Sequence, residues 1–329
     1  MNVLEDLCKA SGVSGNEDEV RNYLRGLCSY YNPTVDVMGN LLVSTGGKGK
    51  KILFAAHMDE VGLIISEIED SGFLRFKTVG GIDTGVLIGK KVFIGAKKTV
   101  GIIGIRAVHL QGKNDEMNEE SLYIDIGAEN KEDAESIVSL GDYACFEHVF
   151  KKFGDNLLAA KALDNRAGCA IMAELLKRDG AYNLCFAFTA QEETGCRGAA
   201  AAADYFEPDL AVIIETTICA DTYPTEPHKT PTSVGKGPVI TFLDRTSVPD
   251  RDVMNSLIEM ANMQNIPWQF KKTNMGGTDA GSVSRALDGI PTAVVALPCR
   301  NLHSPVTVIS MNDYMNLFRL LDLWIKDLG

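Results

Sequence analysis

The chain has 329 residues, of which 45% are hydrophobic, and its 44 acidic and 32 basic side chains leave a formal net charge of −12. This length accommodates a large core together with a smaller second domain. The acidic balance and the lack of a Lys/Arg cluster argue against a nucleic-acid-binding protein, because phosphate contacts need a basic surface.

Targeting signals are not evident in the sequence. The first residues, MNVLEDLCKA, lack a basic start followed by a long apolar stretch, so we expect no signal peptide. No apolar run reaches the length of a membrane-spanning helix. The eight cysteines form no CxxC pair and mostly lie among apolar residues, which is typical of reduced thiols in a cytoplasmic protein.

Residues 1–65 are predicted to begin an α/β domain. The segment SGNEDEVRNYLRGLCSYY has acidic residues in its first turn and apolar residues at helical spacing, which predicts a helix that starts at Ser14. The segments VDVMGNLLVST and GGKGKKILFAA follow it. We predict that they are two strands joined by a Gly/Lys turn.

Residues 66–155 show a different pattern. Their apolar segments are short, β-branched and separated by glycines, as in KKVFIGAKKTVGIIGI and ESLYIDIGA. Helical periodicity returns only around residues 131–140. We therefore predict a small, β-rich, barrel-like domain inserted into the α/β chain.

From residue 156 to residue 329, helices and apolar strands alternate again. The predicted helices LDNRAGCAIMAELLKR, CRGAAAAADYF and DVMNSLIEMANMQN alternate with the predicted strands NLCFAFTA, DLAVIIE and TAVVAL. An amphipathic helix, MNDYMNLFRLLDLWIKDL, ends the chain. Apolar strands that alternate with helices indicate an α/β fold with a mixed, largely parallel sheet covered by helices.

Polar side chains with metal-binding chemistry follow the predicted strands. Ligand sites in open α/β sheets lie beyond the carboxyl ends of strands. The side chains found at these positions are His57 and Asp59, Asp164, Gln191 to Glu193, Glu215 and His303. Crowded carboxylates repel one another unless cations lie among them. Two imidazoles and three carboxylates, one of them bridging, form the ligand set of two divalent ions, a common arrangement for metal-assisted hydrolysis. Zinc accepts this set, and cobalt or manganese tolerates it.

The adjacent residues Glu192 and Glu193 cannot both perform the same task. Successive residues that leave a strand point in opposite directions. We expect one of them to bind a metal ion and the other to face the attacking water as a general base. Asp59 lies two residues after His57 and is placed to orient that imidazole.

Each of these residues has a simpler structural explanation when it is considered alone. Asp164 is a candidate N-cap, Glu192–Glu193 a candidate helix start, and His303 a candidate turn residue. Their occurrence at successive strand ends favours a metal centre. We interpret three further histidines without such neighbours as structural: His109, His148 and His228.

Five motifs occur in the order and at roughly the spacing of the M42 family of metallo-aminopeptidases, which includes the TET and glutamyl aminopeptidases. They are AAHMDEVG, ALDNRAGC, QEETGCRGA, IIETT and RNLHSP. GGID, LYIDIGA and GGTDAG are also similar to signatures of the family, and the similarity extends over essentially the whole chain. The resemblance implies a di-metal peptidase domain of the phosphorylase/hydrolase-like type at residues 1–65 and 156–329. It further implies a dimerisation domain at 66–155, short peptides as substrates, and dimers that assemble into a homo-oligomeric dodecamer.

The resemblance also implies a role for each motif residue. The cofactors would be two divalent ions per subunit, Zn²⁺ or Co²⁺, with Mn²⁺ also compatible. The implied metal ligands are His57 and Glu215 for the first ion, Glu193 and His303 for the second, and Asp164 as the bridge.

The remaining implied roles concern catalysis. Glu192 would be the general base, and Asp59 would support the first ligating histidine. Apart from the resemblance, Gly276, Gly277 and Thr278 are candidates for lining the substrate pocket with backbone groups, and the alternative is a plain glycine turn that caps the helix at 279–286. Arg300 is a further candidate for contact with substrate.

The sequence departs from the family pattern at several positions. Glu215 replaces the usual Asp, and Cys196 stands where an aliphatic residue is usual. Asn301 and Leu302 replace Tyr and Ile beside the last histidine.

Other function classes make different demands on the sequence. A di-metal N-acyl amino-acid deacylase or carboxypeptidase would need an Arg for a carboxylate, and Arg166, Arg197 and Arg300 are candidates. An endoglucanase-type glycoside hydrolase would need two metal-free carboxylates and usually an aromatic platform, yet Trp268 and Trp324 are the only tryptophans. A non-catalytic assembly protein would not need an intact ligand set.

Overall fold

A computed structural model describes the chain except for residues 1, 107–117, 178–181, 223–224 and 329. The described part contains eight α-helices: α1 (Asn2–Lys9), α2 (Asp18–Leu27), α3 (Lys131–Ile137), α4 (Leu163–Leu175), α5 (Arg197–Phe206), α6 (Arg251–Met263), α7 (Ala280–Val283) and α8 (Met311–Asp327). None of these helices combines the length and apolar character that are needed to cross a membrane.

The same part of the chain contains seventeen β-strands. In chain order they are β1 (Thr34–Val35), β2 (Leu41–Ser44), β3 (Lys48–His57), β4 (Gly62–Ile68), β5 (Leu74–Val79), β6 (Lys91–Ile94), β7 (Thr99–Ile105), β8 (Leu122–Asp125), β9 (Tyr143–Phe146), β10 (Phe150–Phe153), β11 (Leu157–Ala160), β12 (Tyr182–Thr189), β13 (Leu210–Ile218), β14 (Val239–Thr241), β15 (Gln269–Phe270), β16 (Thr292–Cys299) and β17 (Thr307–Ser310).

An eight-stranded sheet forms the centre of the main domain, in the order β1-β2-β12-β3-β13-β16-β14-β15. Its four central strands, β12, β3, β13 and β16, are mutually parallel, whereas β2 pairs antiparallel with β12 and β14 pairs antiparallel with β16. The central strands are apolar because helices cover both of their faces. The predicted mixed, largely parallel α/β sheet is confirmed.

The two predicted strands at the start of the sheet are not neighbours. β12 lies between β2 and β3 and pairs with β2 antiparallel and with β3 parallel. The C-terminal half of β3 is buried, so its backbone N–H and C=O groups need a hydrogen-bonding strand along each edge. β12 and β13 occupy these two positions. The two predicted strands and the short connection between them, residues 45–47, are present, but the strands do not pair with each other.

Helices of different character pack on the two faces of the sheet. On one face, α1, α2, α4, α6 and α8 form a large core in which Phe54 stacks on Phe186 at 5.5 Å and contacts Trp324 edge-on at 6.3 Å. On the other face, the alanines of α5 and the short α7 pack against Leu53 and Ala55. Alternate residues of one strand thus serve different cores, as the two-residue period of a strand requires.

A closed antiparallel barrel, in the order β4-β5-β8-β7-β6-β9, interrupts the main domain. It has its own apolar core, and closure leaves no free strand edges. Its strands lie between Gly62 and Phe146, while β10 and β11 join β17 in a separate three-stranded sheet. The inserted barrel-like domain of the predicted fold is therefore present; its limits at 66 and 155 and its dimerisation role stay predictions.

Two helix starts differ from the expected ones. Helix α2 begins at Asp18 with Glu17 at the N-cap position, and Ser14 instead donates its hydroxyl to Asp59. Asp164 has a non-helical backbone, and the side chain of Asn165 accepts the Gly168 N–H at 3.1 Å. Asn165 therefore caps the regular part of α4, and the Asp164 carboxylate is available for other contacts.

Candidate active site

His57 and Glu215 come from adjacent central strands and project on the same side of the sheet. His57 is the last residue of β3 and continues the alternation of Leu53 and Ala55. Glu215 lies within β13, whose Ala211 and Ile213 face that same side. The Nε2 atom of His57 lies 3.6 Å from Oε2 of Glu215, and both side chains are buried.

Asp164 lies between two histidines. Its Oδ1 is 3.2 Å from Nε2 of His57, and its Oδ2 is 3.5 Å from Nε2 of His303. The residue follows β11 of the small sheet, not a strand of the main sheet, and its peptide bond to Asn165 is cis. Of the other site residues, His57 ends β3, whereas Glu193 and His303 follow β12 and β16. Glu215 was expected after its strand but lies within β13.

His303 and Glu193 complete the other side of the centre. Nε2 of His303 lies 3.3 Å from Oε2 of Glu193. The Nδ1 atom of His303 is 2.9 Å from the carbonyl oxygen of Gly81, in the loop between β5 and β6 of the barrel. This carbonyl accepts only a protonated Nδ1, so it leaves Nε2 of the neutral ring as an electron-pair donor facing the carboxylates.

The five side chains form two triads that share Asp164. One contains His57 and Glu215, the other contains His303 and Glu193, and the atoms facing each other are 3.2–3.6 Å apart. Ligand atoms around one tetrahedral zinc ion with bonds of about 2.1 Å are separated by roughly 3.4 Å. In addition, Oε1 of Glu215 is buried and has no hydrogen-bond partner in the described part of the chain. The donor types and their spacing therefore fit the binding of divalent metal ions.

The crowded carboxylates of this centre favour added positive charge. Burial raises the pKa of Glu193 and of Glu215 well above the usual value, and the neighbouring Asp164 carboxylate adds to both shifts. Burial opposes the charging of His57, but hydrogen bonds to Asp164 and Asp59 raise its pKa well above the ordinary value. Protons thus neutralise a charge that divalent ions would balance.

Asp59 links the first histidine to the loop that carries the two glutamates. Its Oδ1 and Oδ2 accept the backbone N–H groups of Glu192 and Glu193 at 3.1 and 3.0 Å. Its backbone oxygen and Oδ1 lie 3.1 and 3.4 Å from Nδ1 of His57. Ser14 donates a further hydrogen bond to Asp59, a contact that no motif in the sequence predicted.

Glu192 borders the cavity beside the two triads. Burial, with the nearby carboxylates of Asp279 and Asp164, raises the pKa of Glu192 to about 7. The Sγ atom of Cys196 lies 3.3 Å from its Oε1. A carboxylate with this pKa suits proton transfer near neutral pH.

A cavity of about 730 Å³ opens above the two triads. Gly276, Gly277 and Thr278 line it, as expected for residues that contact substrate. Arg300 does not line it, because Asp221 holds its Nε and Nη2 atoms at 2.8 and 2.9 Å. The structure therefore gives no basis for Arg300 as a substrate ligand.

Three cationic side chains that the sequence reading did not single out do line this cavity. Lys271 is buried, with 4% of its surface exposed, whereas Arg245 and Arg285 lie nearer the exposed rim. Burial lowers the pKa of Lys271, while the charges of Asp244 and Glu215 act in the opposite direction. Within the described part of the chain, its ammonium group forms no ion pair or hydrogen bond.

The other candidate arginines and tryptophans have different surroundings. Arg166 is fully buried and donates to Glu60 and to backbone carbonyls, and Arg197 is exposed and lies outside the cavity lining. Trp324, on α8, packs in the large core of the main domain. Trp268 contacts Phe270 edge-on, with ring centroids 4.8 Å apart. Neither tryptophan lines the cavity, so no tryptophan platform for a sugar is present there.

His148 and His228 do not belong to the two triads, and among the cysteines Cys169 and Cys196 contact His57 and Glu192. His228 is exposed near Glu226, His148 stacks on Phe150 at 6.5 Å, and His109 lies outside the described residues. All eight cysteines are free thiols, and six of them are buried.

Comparison with known proteins agrees with this architecture. The sequence profile described as M42 glutamyl aminopeptidase matches residues 39–320. A protein of Acetivibrio thermocellus is 40% identical over 319 residues, which cover 94% of this chain and 93% of that protein. The TET aminopeptidase of a thaumarchaeon from marine sediment superposes with a TM-score of 0.94 at 31% identity, over 100% of this chain and 98% of the other. The TET1 peptidase of Pyrococcus horikoshii, which can assemble into a tetrahedron or a large octahedral shell, gives a TM-score of 0.88 at 33% identity over 98% of each chain. The chain therefore belongs to the M42 glutamyl aminopeptidase family, and it is a peptide hydrolase.

Proposed function

We propose that this chain is a di-metal aminopeptidase that removes N-terminal residues from short peptides. The observation that carries the proposal is the pair of triads that share Asp164, with Glu192 beside them. Two ions, Zn²⁺ or Co²⁺ with Mn²⁺ also compatible, would be held by His57, Glu215, Asp164, Glu193 and His303. When bound, such ions supply Lewis acidity toward a water molecule and a carbonyl oxygen.

Glu192 acts as the general base in this proposal. Its carboxylate accepts a proton from the water that attacks the scissile carbonyl, and the same group then donates that proton to the leaving amine. The two N–H bonds to Asp59 hold the backbone of Glu192 and Glu193, so the base and the neighbouring ligand keep their relative positions.

The charge of the centre favours a substrate with a free α-amine. Glu215 is a buried carboxylate at the cavity wall, and it attracts the α-ammonium of a peptide. Hydrolysis would then release the first residue, while Gly276 and Gly277 allow close approach of the substrate backbone.

The cavity favours an acidic side chain on that first residue. Lys271 is a buried cation without a partner in the described part of the chain, and it interacts with Glu215 through space. A buried unpaired charge is costly, so an anionic group that reaches it is bound with a charge-assisted hydrogen bond. Arg245 and Arg285 add positive charge to the same cavity.

The same cations support a second candidate function. A di-metal carboxypeptidase or N-acyl amino-acid deacylase would use Lys271 or Arg285 to bind a terminal carboxylate. The two candidates differ in whether the substrate requires a free α-amine. The glycoside hydrolase alternative has no support in the cavity, where the carboxylates face histidines and no tryptophan is present.

Assembly and location form a further part of the proposal. The barrel presents the apolar side chains of Val100 and Ile102 outward from β7, with half and 43% of their surfaces exposed. Burying such a surface against a second copy is favourable, so we infer that the barrel mediates a dimer from which a dodecamer is built. The eight free thiols fit a cytoplasmic protein.

The decisive experiment combines metal removal with a peptide panel. Protein stripped by a chelator should lose the release of amino acids from short peptides and regain it with Zn²⁺ or Co²⁺. Free-amine peptides beginning with Glu should be cleaved in preference to those beginning with Leu, and N-blocked peptides should not be cleaved. Activity that survives complete metal removal would contradict the di-metal mechanism, and cleavage of blocked peptides would favour the second candidate. Native mass spectrometry tests the assembly.

A further inference from the structure

A second group of potential metal ligands lies at the edge of the cavity, where Glu192 and Cys196 line the wall and Asp279 is buried behind them. Carboxylate oxygens of Glu192 and Asp279 and the Sγ atom of Cys196 all lie within 4.8 Å of one another. Glu192 belongs to the loop after β12, Cys196 precedes α5, and Asp279 precedes α7. Two segments of the chain, the β12–α5 loop and the residues before α7, therefore converge on one point.

Asp279 is the member of this group that indicates a missing ligand. Its side chain is completely buried. Its Oδ2 accepts the hydroxyl of Thr189 at 2.6 Å, whereas Oδ1 has no hydrogen-bond partner among the described residues. A buried carboxylate oxygen without a partner is costly, and a bound cation removes that cost.

Cys196 determines which cations the group would select. Its Sγ lies 3.3 Å from Oε1 of Glu192, and its partial exposure makes the sulfur accessible from the cavity. A sulfur ligand together with two carboxylates suits zinc or the related soft ion cadmium, whereas magnesium and calcium prefer oxygen alone.

We propose that Glu192, Cys196 and Asp279 bind a third, inhibitory soft divalent ion such as Zn²⁺ or Cd²⁺. As the sulfur–metal bond forms, the S–H bond breaks and the thiol proton passes to solvent. The carboxylate of Glu192 then ligates the ion and is no longer free to accept a proton from water. Binding of the ion is independent of the mechanism, whereas the inhibition rests on the proposed role of Glu192.

Cadmium titration of the full-length protein tests this site. Metal-free wild type is compared with Cys196→Val, Cys196→Ser and the control Cys219→Val. Cys219 is a suitable control because it is also partly exposed and its Sγ lies 2.9 Å from Oδ1 of Asp221. The number of bound Cd²⁺ ions and the ultraviolet absorption of the cadmium–thiolate bond are measured on the metal-free proteins. Peptidase activity is measured on the same proteins after reloading with Co²⁺, relative to each protein's own rate before Cd²⁺ is added.

The proposal predicts a difference of one ion between two groups of proteins. Wild type and Cys219→Val should bind one more Cd²⁺ than each Cys196 variant and should show cadmium–thiolate absorption. Their peptidase activity should fall more than tenfold in excess Cd²⁺. Equal stoichiometry in wild type and Cys196→Val, or thiolate absorption that persists without Cys196, would overturn it. Failure of the two-ion centre is seen separately, as loss of the ions that all four proteins share.

Discussion

Asp164 faces both histidines of the active site at once, with Oδ1 3.2 Å from Nε2 of His57 and Oδ2 3.5 Å from Nε2 of His303. Each carboxylate oxygen therefore belongs to a different triad. The non-helical backbone of Asp164 directs the side chain away from the helix that follows. This single residue couples the two metal sites of the proposed function.

Replacement of Asp164 by Asn should weaken the binding of both ions. A carboxamide has one oxygen and no charge, so it cannot serve two ions. Replacing a residue that only supports a metal ligand typically lowers metal affinity roughly 10- to 100-fold. Replacing a bridging ligand should lower it at least as much. Metal content after dialysis measures the effect, with the exposed Asp155→Asn as control. Two tightly held ions in Asp164→Asn would exclude the bridging role.

Replacement of Glu192 by Gln should abolish turnover while both ions stay bound. The amide cannot accept a proton, and loss of a general base typically reduces kcat by about 10²- to 10⁴-fold. Steady-state kinetics combined with metal analysis measures both properties. The neighbouring Glu193→Gln is the comparison, because it should lose metal affinity first. Near-normal kcat in Glu192→Gln would remove this residue as the base.

Replacement of Lys271 by Met should reduce selectivity for an acidic first residue. A hydrogen bond to a charged group contributes about 1.5–3 kcal/mol, so kcat/KM for peptides beginning with Glu should fall roughly 10- to 100-fold. Peptides beginning with Leu should be cleaved at least as well as before. The adjacent, exposed Lys272→Met provides the matched control. An equal loss on both kinds of peptide would show that Lys271 does not determine selectivity.

Glu60, three residues after His57, lies in a buried ionic cluster. Its carboxylate receives Nζ of Lys161 at 2.6 and 2.8 Å, Nη2 of Arg166 at 3.1 Å and the backbone N–H of Gly12 at 3.1 Å. Since Lys161 and Arg166 also donate to the Ala10 carbonyl, the cluster ties the N-terminal segment to the catalytic sheet.

Replacement of Glu60 by Gln should destabilise the fold strongly. Two buried cations would lose their counter-charge, and breaking a buried ion pair typically costs about 3–5 kcal/mol. Urea denaturation measures the free energy of unfolding. Glu174→Gln, which breaks the exposed pair with Lys177, should change it by less than about 1 kcal/mol. A similarly small effect for Glu60→Gln would mean that the cluster is not a stabilising element.

Local patterns were sufficient for most elements of the main domain. The predicted strand NLCFAFTA corresponds to β12, TAVVAL lies within β16, and the last amphipathic helix is α8. Hydrophobic periodicity is a local property, so it survives without knowledge of the partners. The neighbours of a strand are not local, which explains why the insertion of β12 between β2 and β3 escaped prediction.

The sequence by itself determined the α/β alternation, the inserted β-rich segment and the types of ligand that follow successive strands. His57, Asp164, Glu193, Glu215 and His303 were expected at one site because parallel strands end at a common edge. Only the tertiary structure decided that Asp164 faces both histidines, that Ser14 and Asp59 hold the glutamate loop, that Lys271 lines the cavity, and that Asp279 lies beside Glu192 and Cys196. These contacts join residues more than 40 positions apart, and no periodicity along a chain specifies which distant side chains meet when its layers pack.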